Sequence, residues 1–162
     1  MRGFVSGLAL LLCLPSIAAG ELPRGGNGAV SVAATALPSA TAIQVDGELS
    51  EEAWAKVPVV SGFVQRDPTE GAPATFDTEV RVAFDDTALY VAVNAIDRDP
   101  SKIVGILARR DESSPSDWVR IYLDSFHDRR TAYEFSVNAA GVKGDTYWFS
   151  DGNMDAGWDA VW

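Results

Sequence analysis

The residue types that could carry chemistry are few and unevenly placed. The one histidine, His127, lies in the run Asp124-Ser125-Phe126-His127-Asp128-Arg129-Arg130. A Ser–His–Asp relay could be written from that run, but triads are assembled from separated segments, not from one contiguous turn. The run therefore reads as a polar turn. One cysteine, Cys13, and no second histidine leave neither a disulfide framework nor a transition-metal ligand set. Carboxylates are plentiful. Asp117 and Asp124 are seven positions apart, about 23 Å along a strand, whereas two acids flanking a glycosidic bond need separations of roughly 5–10 Å. No acid pair stands out, and the chain is not expected to be an enzyme.

Two patterns are more informative. Asp97-x-Asp99-Pro100 and the spaced Asp151, Asp155 and Asp159 put hard oxygen ligands in turns. That suits Ca2+, with Asp97 and Asp99 as candidate ligands, although the spacing is not that of an EF-hand and solvated loop charge is the competing reading. Aromatic side chains crowd the last third: Trp118, Tyr122, Tyr147, Trp148 and Trp158. Several fall on the polar side of their strands, next to groups such as Arg120. Flat rings beside hydrogen-bonding groups suit sugars, whose apolar face stacks while the hydroxyls are met by polar side chains. The candidate ligand contacts are Trp118, Arg120, Tyr122, Trp148 and Trp158. The competing reading is that other protein segments cover these rings.

The elements that must position these residues follow from the pattern of apolar positions. The chain has 162 residues, 13 Lys and Arg against 23 Asp and Glu, a formal charge of −10 and 47% hydrophobic content. That is enough for one packed domain, and its acidity disfavours nucleic acid or an anionic membrane as partner. Residues 1–20 have the cationic start, apolar run and Ala-Ala-Gly end of a secretory signal peptide. The apolar run, broken by Pro15, is too short for a membrane span. Export to the periplasm, the outer membrane or the exterior is expected. Residues 21–40, rich in Gly, Ala, Ser and Pro, read as a flexible linker.

From 41 to 162 the pattern is that of strands. Ser50, Glu51 and Glu52 open one short helix near 50–57, ended by Pro58, with Trp54 as a core plug. Extended pieces are expected at 42–45, 59–65 and 103–107. Alternation marks strands around 78–84 and 89–93, joined at Asp85-Asp86 with one wet and one dry face, and around 118–123, 133–137 and 142–148. The expectation is an all-β fold, an antiparallel sandwich or jelly roll. No phosphate loop, dinucleotide fingerprint or nucleophile elbow occurs.

Ile43-Gln44-Val45-Asp46-Gly47-Glu48-Leu49, Glu52-Ala53-Trp54, Asp85-Asp86-x-Ala88-Leu89-Tyr90-Val91, Asp117-x-Val119-x-Ile121-x-Leu123-Asp124 and Phe135-x-Val137-Asn138 occur in that order. Together they resemble carbohydrate-binding module family 9 domains. Ala108-Arg109-Arg110-Asp111, the Leu123–Tyr133 run and Trp158-Asp159-Ala160-Val161-Trp162 resemble the subgroup found at the start of large exported bacterial proteins with a barrel-like C-terminal region. The resemblance implies an exported, non-catalytic module that binds polysaccharide or oligosaccharide, often with structural Ca2+, as part of a larger protein. The alternative it leaves open is an interaction or plug domain for a downstream outer-membrane barrel. The family's ring-clamping tryptophan, strand Glu and following Arg fall here on Ser114, Arg120 and Ser136, so those contacts do not carry over. Trp118 is the candidate substitute ring. The family also implies further strands after Trp162, so the chain reads as a truncated domain that stops inside a strand beginning near Trp158. Exposed apolar surface and aggregation are expected to follow.

Overall fold

The computed structural model describes residues 31–39 and 41–162. Residues 1–20, read as a signal peptide, and most of 21–40, read as a linker, lie outside the described residues. The chain divides into two compact units between Ile96 and Asp97. Each is built on one sheet, and the class is all-β, with one short α-helix among the described residues.

The first unit holds β1 (Thr35–Ala36), α1 (Glu52–Ala55), β2 (Thr78–Phe84) and β3 (Leu89–Ala95). Its sheet order is β1-β2-β3, with β1 parallel to β2 and β2 antiparallel to β3. Asp85 closes the tight β2–β3 connection through its side chain, accepting the backbone N–H groups of Thr87 (2.7 Å) and Ala88 (2.9 Å). The two-residue β1 lies in the segment read as linker. Beside it Leu37 donates its N–H to Phe84 O and packs against the core.

Three expectations for this unit change. The pieces at 42–45 and 59–65 are not strands. Residues 59–65 make only single bridges, Val60 with Val80 and Val64 with Pro73, because Pro58, Gly62 and Pro73 interrupt any continuous ladder. Ser50 does not cap the helix. Glu51 stands at the cap position without a side-chain bond to the turn, since its carboxylate accepts Gln44 N–H at 2.7 Å. The hairpin is also not divided into one wet and one dry face. Ala83 and Ala92, on the face that also carries Glu79 and Arg81, are buried under Trp54 and Val57. The valine-rich face is only half-buried and ends in exposed Phe84 and Leu89. The two small alanine side chains leave room for the Trp54 indole close to the sheet.

The second unit begins with a 3-10 turn, Pro100–Lys102, and continues through β4 (Trp118–Leu123), β5 (Ala132–Asn138), β6 (Lys143–Phe149) and β7 (Asn153–Asp155). The four strands form an antiparallel meander in that order. Residues 103–107, expected to be extended, form no strand. Val104 N–H is taken by the Asp117 carboxylate and Ile106 N–H by Ser116 Oγ. Asn138 organises the β5–β6 turn, its Oδ1 accepting the N–H groups of Ala140 and Val142, both at 2.9 Å. Gly141 there takes φ +79°, a value side chains disfavour. The segment from Trp158 is not a strand either. Its backbone is held by side chains, with Ala160 N–H on Asp145 and Ala160 O on Arg110. Among the described residues no helix is long and apolar enough to cross a membrane.

Candidate functional site

Alternation along β4, β5 and β6 sorts the second sheet into two faces. The pairings Trp118 with Asn138, Arg120 with Ser136, Tyr122 with Glu134, and Ala132 with Trp148 put all of these residues on one side. Four of the five candidate ligand residues are therefore brought together: Trp118, Arg120, Tyr122 and Trp148. The fifth, Trp158, is not among them. It stacks on Tyr133 (4.8 Å between ring centres) and meets Phe135 edge-on (6.0 Å), both of which belong to the opposite, aromatic face.

The residue that organises the four is Glu134, which the sequence reading did not single out. It is buried, 3% exposed, and both oxygens are used. Oε1 accepts from Arg120 Nη1 at 2.9 Å and Oε2 accepts from the Trp148 indole N–H at 2.7 Å. A buried carboxylate survives only with such partners. Glu134 lies two residues from Ser136 on the face that carries Arg120, and nothing local in the sequence marks it as buried.

The surrounding rings are fixed around this pair. Tyr122 and Trp148 lie 6.2 Å apart at 59°. The guanidinium of Arg120 lies 5.5 Å from the Trp118 ring centre, a cation–π distance. The Trp118 indole N–H donates to Ser114 O at 3.1 Å. Tyr122 is 53% exposed. Partial desolvation, followed by the negative charge of Glu134, pushes its phenol above the ordinary value, so it remains a neutral hydroxyl. Beneath, β5 and β6 approach closely at Gly144, where a Cβ would come 2.9 Å from Ser136 Oγ. The surface that results is a platform of rings around one cation. The hollows elsewhere, one of about 330 Å3 near Leu107, Arg110 and Lys143 and one of about 380 Å3 near Trp54 and Arg81, contain none of these four residues.

Acidic side chains converge at a second place. Asp111, Asp145 and Asp159 have carboxylate oxygens within 4.8 Å of one another. Asp145 is fully buried, and Arg110 sits among the three. Its Nη2 donates to Asp145 Oδ1 at 2.5 Å and lies 2.9 Å from Asp159, while its Nε is 3.6 Å from Asp111. The carboxylates, Asp145 first, raise the Arg110 pKa above its ordinary value. This donor set does not fit Ca2+ as it stands, because the guanidinium occupies the place an ion would take. The residues expected to bind metal, Asp97 and Asp99, lie in a turn. Asp97 accepts Asp99 N–H at 2.7 Å, and Asp99 accepts Ser101 Oγ and pairs with Lys102 at 3.0 Å. Those last two partners, Ser101 foremost, hold the Asp99 carboxyl below its usual value.

The His127 turn is built by carboxylates. Asp124 accepts the N–H groups of Asp128 and Arg129, and Asp128 those of Arg130 and Thr131. His127 and Arg129 take positive φ of 53° and 58°. No nucleophile–base pair forms there.

A family model described as carbohydrate family 9 binding domain-like matches residues 45–160. No curated protein and no solved structure gives a match.

Proposed function

The chain belongs to the carbohydrate family 9 binding domain-like family, and from that premise we propose that it is a non-catalytic glycan-binding module whose ligand lies on the ring-bearing face of β4–β6. The observation that carries the reading is the convergence of Trp118, Tyr122 and Trp148 around Arg120 on one face. Exposed aromatic surface of this kind offers stacking area to a pyranose ring. The Tyr122 hydroxyl and the Arg120 guanidinium stand at its margin for the sugar hydroxyl groups, while both indole N–H groups are donated within the protein.

The same proposal takes the module as exported through the segment 1–20 and as part of a larger protein that acts on or binds polysaccharide. Structural Ca2+, with Asp97 and Asp99 as its ligands, belongs to the same proposal.

Isothermal titration of the full chain against soluble oligosaccharides, with pull-down on insoluble polysaccharide, tests the reading. Binding should weaken about tenfold, roughly 1.4 kcal/mol, in Tyr122→Ala, while the circular dichroism spectrum stays unchanged because the ring is half-exposed. The proposal fails if no glycan releases heat or is retained at millimolar concentration.

A further inference from the structure

The charge layout of the ring-bearing face points to the class of sugar. Of the residues that alternation puts on that face, Trp118, Arg120, Tyr122, Ala132, Glu134, Ser136, Asn138, Gly144, Thr146 and Trp148, only two are charged. They are not equally accessible. The Arg120 side chain is 45% exposed, whereas that of Glu134 is 4% exposed and lies beneath it. Both Glu134 oxygens already accept hydrogen bonds from the protein. Among the described residues Arg120 donates one hydrogen bond, through Nη1, so most of its five N–H donors are available. The other buried polar groups of the face are spent too: Ser136 donates to Gly144 O, and Asn138 serves the β5–β6 turn.

Among the residues of these strands, a ligand approaching this face therefore meets a positive charge and the hydroxyls of Tyr122 and Thr146, and no exposed carboxylate. Neutral sugars are best met by carboxylate or amide acceptors, because every hydroxyl must also donate, and here Glu134 and Asn138 are already engaged. A ligand that supplies its own anionic acceptor has no such need. The guanidinium matches a carboxylate in two parallel hydrogen bonds. It is also held in place from both sides, by Glu134 and by the Trp118 ring, which lowers the ordering cost of binding.

We propose that the ring-bearing face of β4–β6 selects an acidic sugar, a uronic acid residue whose carboxylate pairs with Arg120 while its ring stacks on Tyr122 or Trp118. This deepens the glycan-binding reading of the same face and rests on it.

The test compares an α-1,4-linked trigalacturonate, its methyl ester, xylotriose and cellotriose by titration calorimetry with the full chain. The free acid should bind at least tenfold more tightly than its methyl ester, which has nearly the same shape without the charge. That advantage should shrink as salt is raised, since a half-exposed charge pair is screened. The double variant R120Q/E134Q removes the cation without stranding a buried carboxylate, and it should bind acid and ester alike. Equal affinity of the wild-type chain for acid and ester, with glycan binding otherwise present, overturns the acid preference and leaves the general reading standing. A preference for acid over ester that survives in a folded R120Q/E134Q chain also overturns it, since the charge would then be read elsewhere. If none of the four ligands binds, both proposals fall. The wild-type comparison decides the matter even if the double variant does not fold.

Discussion

Asp85 shows how much one side chain does in this chain. Its carboxylate accepts Thr87 N–H and Oγ–H, both at 2.7 Å, Ala88 N–H at 2.9 Å and the Tyr90 hydroxyl at 3.0 Å. Those bonds, that of the Thr87 hydroxyl foremost, lower its pKa to about 2, against about 3.9 for a free aspartate. A carboxylate that is more acidic in the folded state than in the unfolded one contributes its stability above the unfolded pKa. That stability is lost as pH falls through the folded one. Urea midpoints should therefore fall between about pH 4 and pH 2, and Asp85→Asn should flatten part of that slope. A variant with the same slope as the wild type would place the acid sensitivity elsewhere, for instance at Asp128, whose carboxyl is also lowered by the Arg130 and Thr131 N–H groups. The turn itself was legible: Asp-Asp-Thr between two alternating runs announces a reversal with a side-chain acceptor. Glu134 was not. Nothing local distinguishes a buried acid from a solvated one, and its role exists only because Arg120 and Trp148 arrive from strands on either side.

At the scale of elements, α1 is a single turn whose value lies in delivering one ring. Four residues are too few to be stable as an isolated helix. Trp54, 6% exposed, holds it against Ala83 and Ala92 of the hairpin, with Leu37, Ile43 and Tyr90 around the edge. Trp54→Ala should cost about 3–5 kcal/mol and, in a core this small, should unfold the first unit. The check is chemical denaturation followed by far-ultraviolet circular dichroism. A loss below about 1 kcal/mol would mean that the indole is replaceable by solvent. The strand pattern of β2 to β6 was readable from alternation, and so was Trp54 as a core residue. The face it covers was not. Hydropathy favours burial of Val80, Val82, Val91 and Val93, yet steric fit puts the indole over the two alanines. Likewise β1 and β7 are too short, at two and three residues, for any period to show in sequence.

For the whole molecule, charge and exposed apolar surface act against each other. The formal charge is −10 at neutral pH, which keeps copies apart. Val45, Leu107, Phe126 and Val161 nevertheless stand 90%, 82%, 66% and 105% exposed. As the pH approaches the isoelectric value near 4.4, the repulsion vanishes while the apolar surface remains. Light scattering should therefore show self-association rising steeply between pH 6 and about 4.4, and falling again below it. Association that is independent of pH would mean that repulsion between copies does not govern it.

The sequence by itself determined the β class, the short Trp54 turn, the main hairpins and the family, because these depend on residue order over a few positions and on parity along a strand. It also supplied four of the residues that meet on the candidate face. Only the tertiary structure decided that Trp158 belongs to the other face, that Asp111, Asp145 and Asp159 gather around Arg110, and that Glu134 lies buried beneath Arg120. Those outcomes depend on which strand lies beside which and at what register. A pairing energy between two charges falls off with their distance in space, and their separation along the chain does not fix that distance.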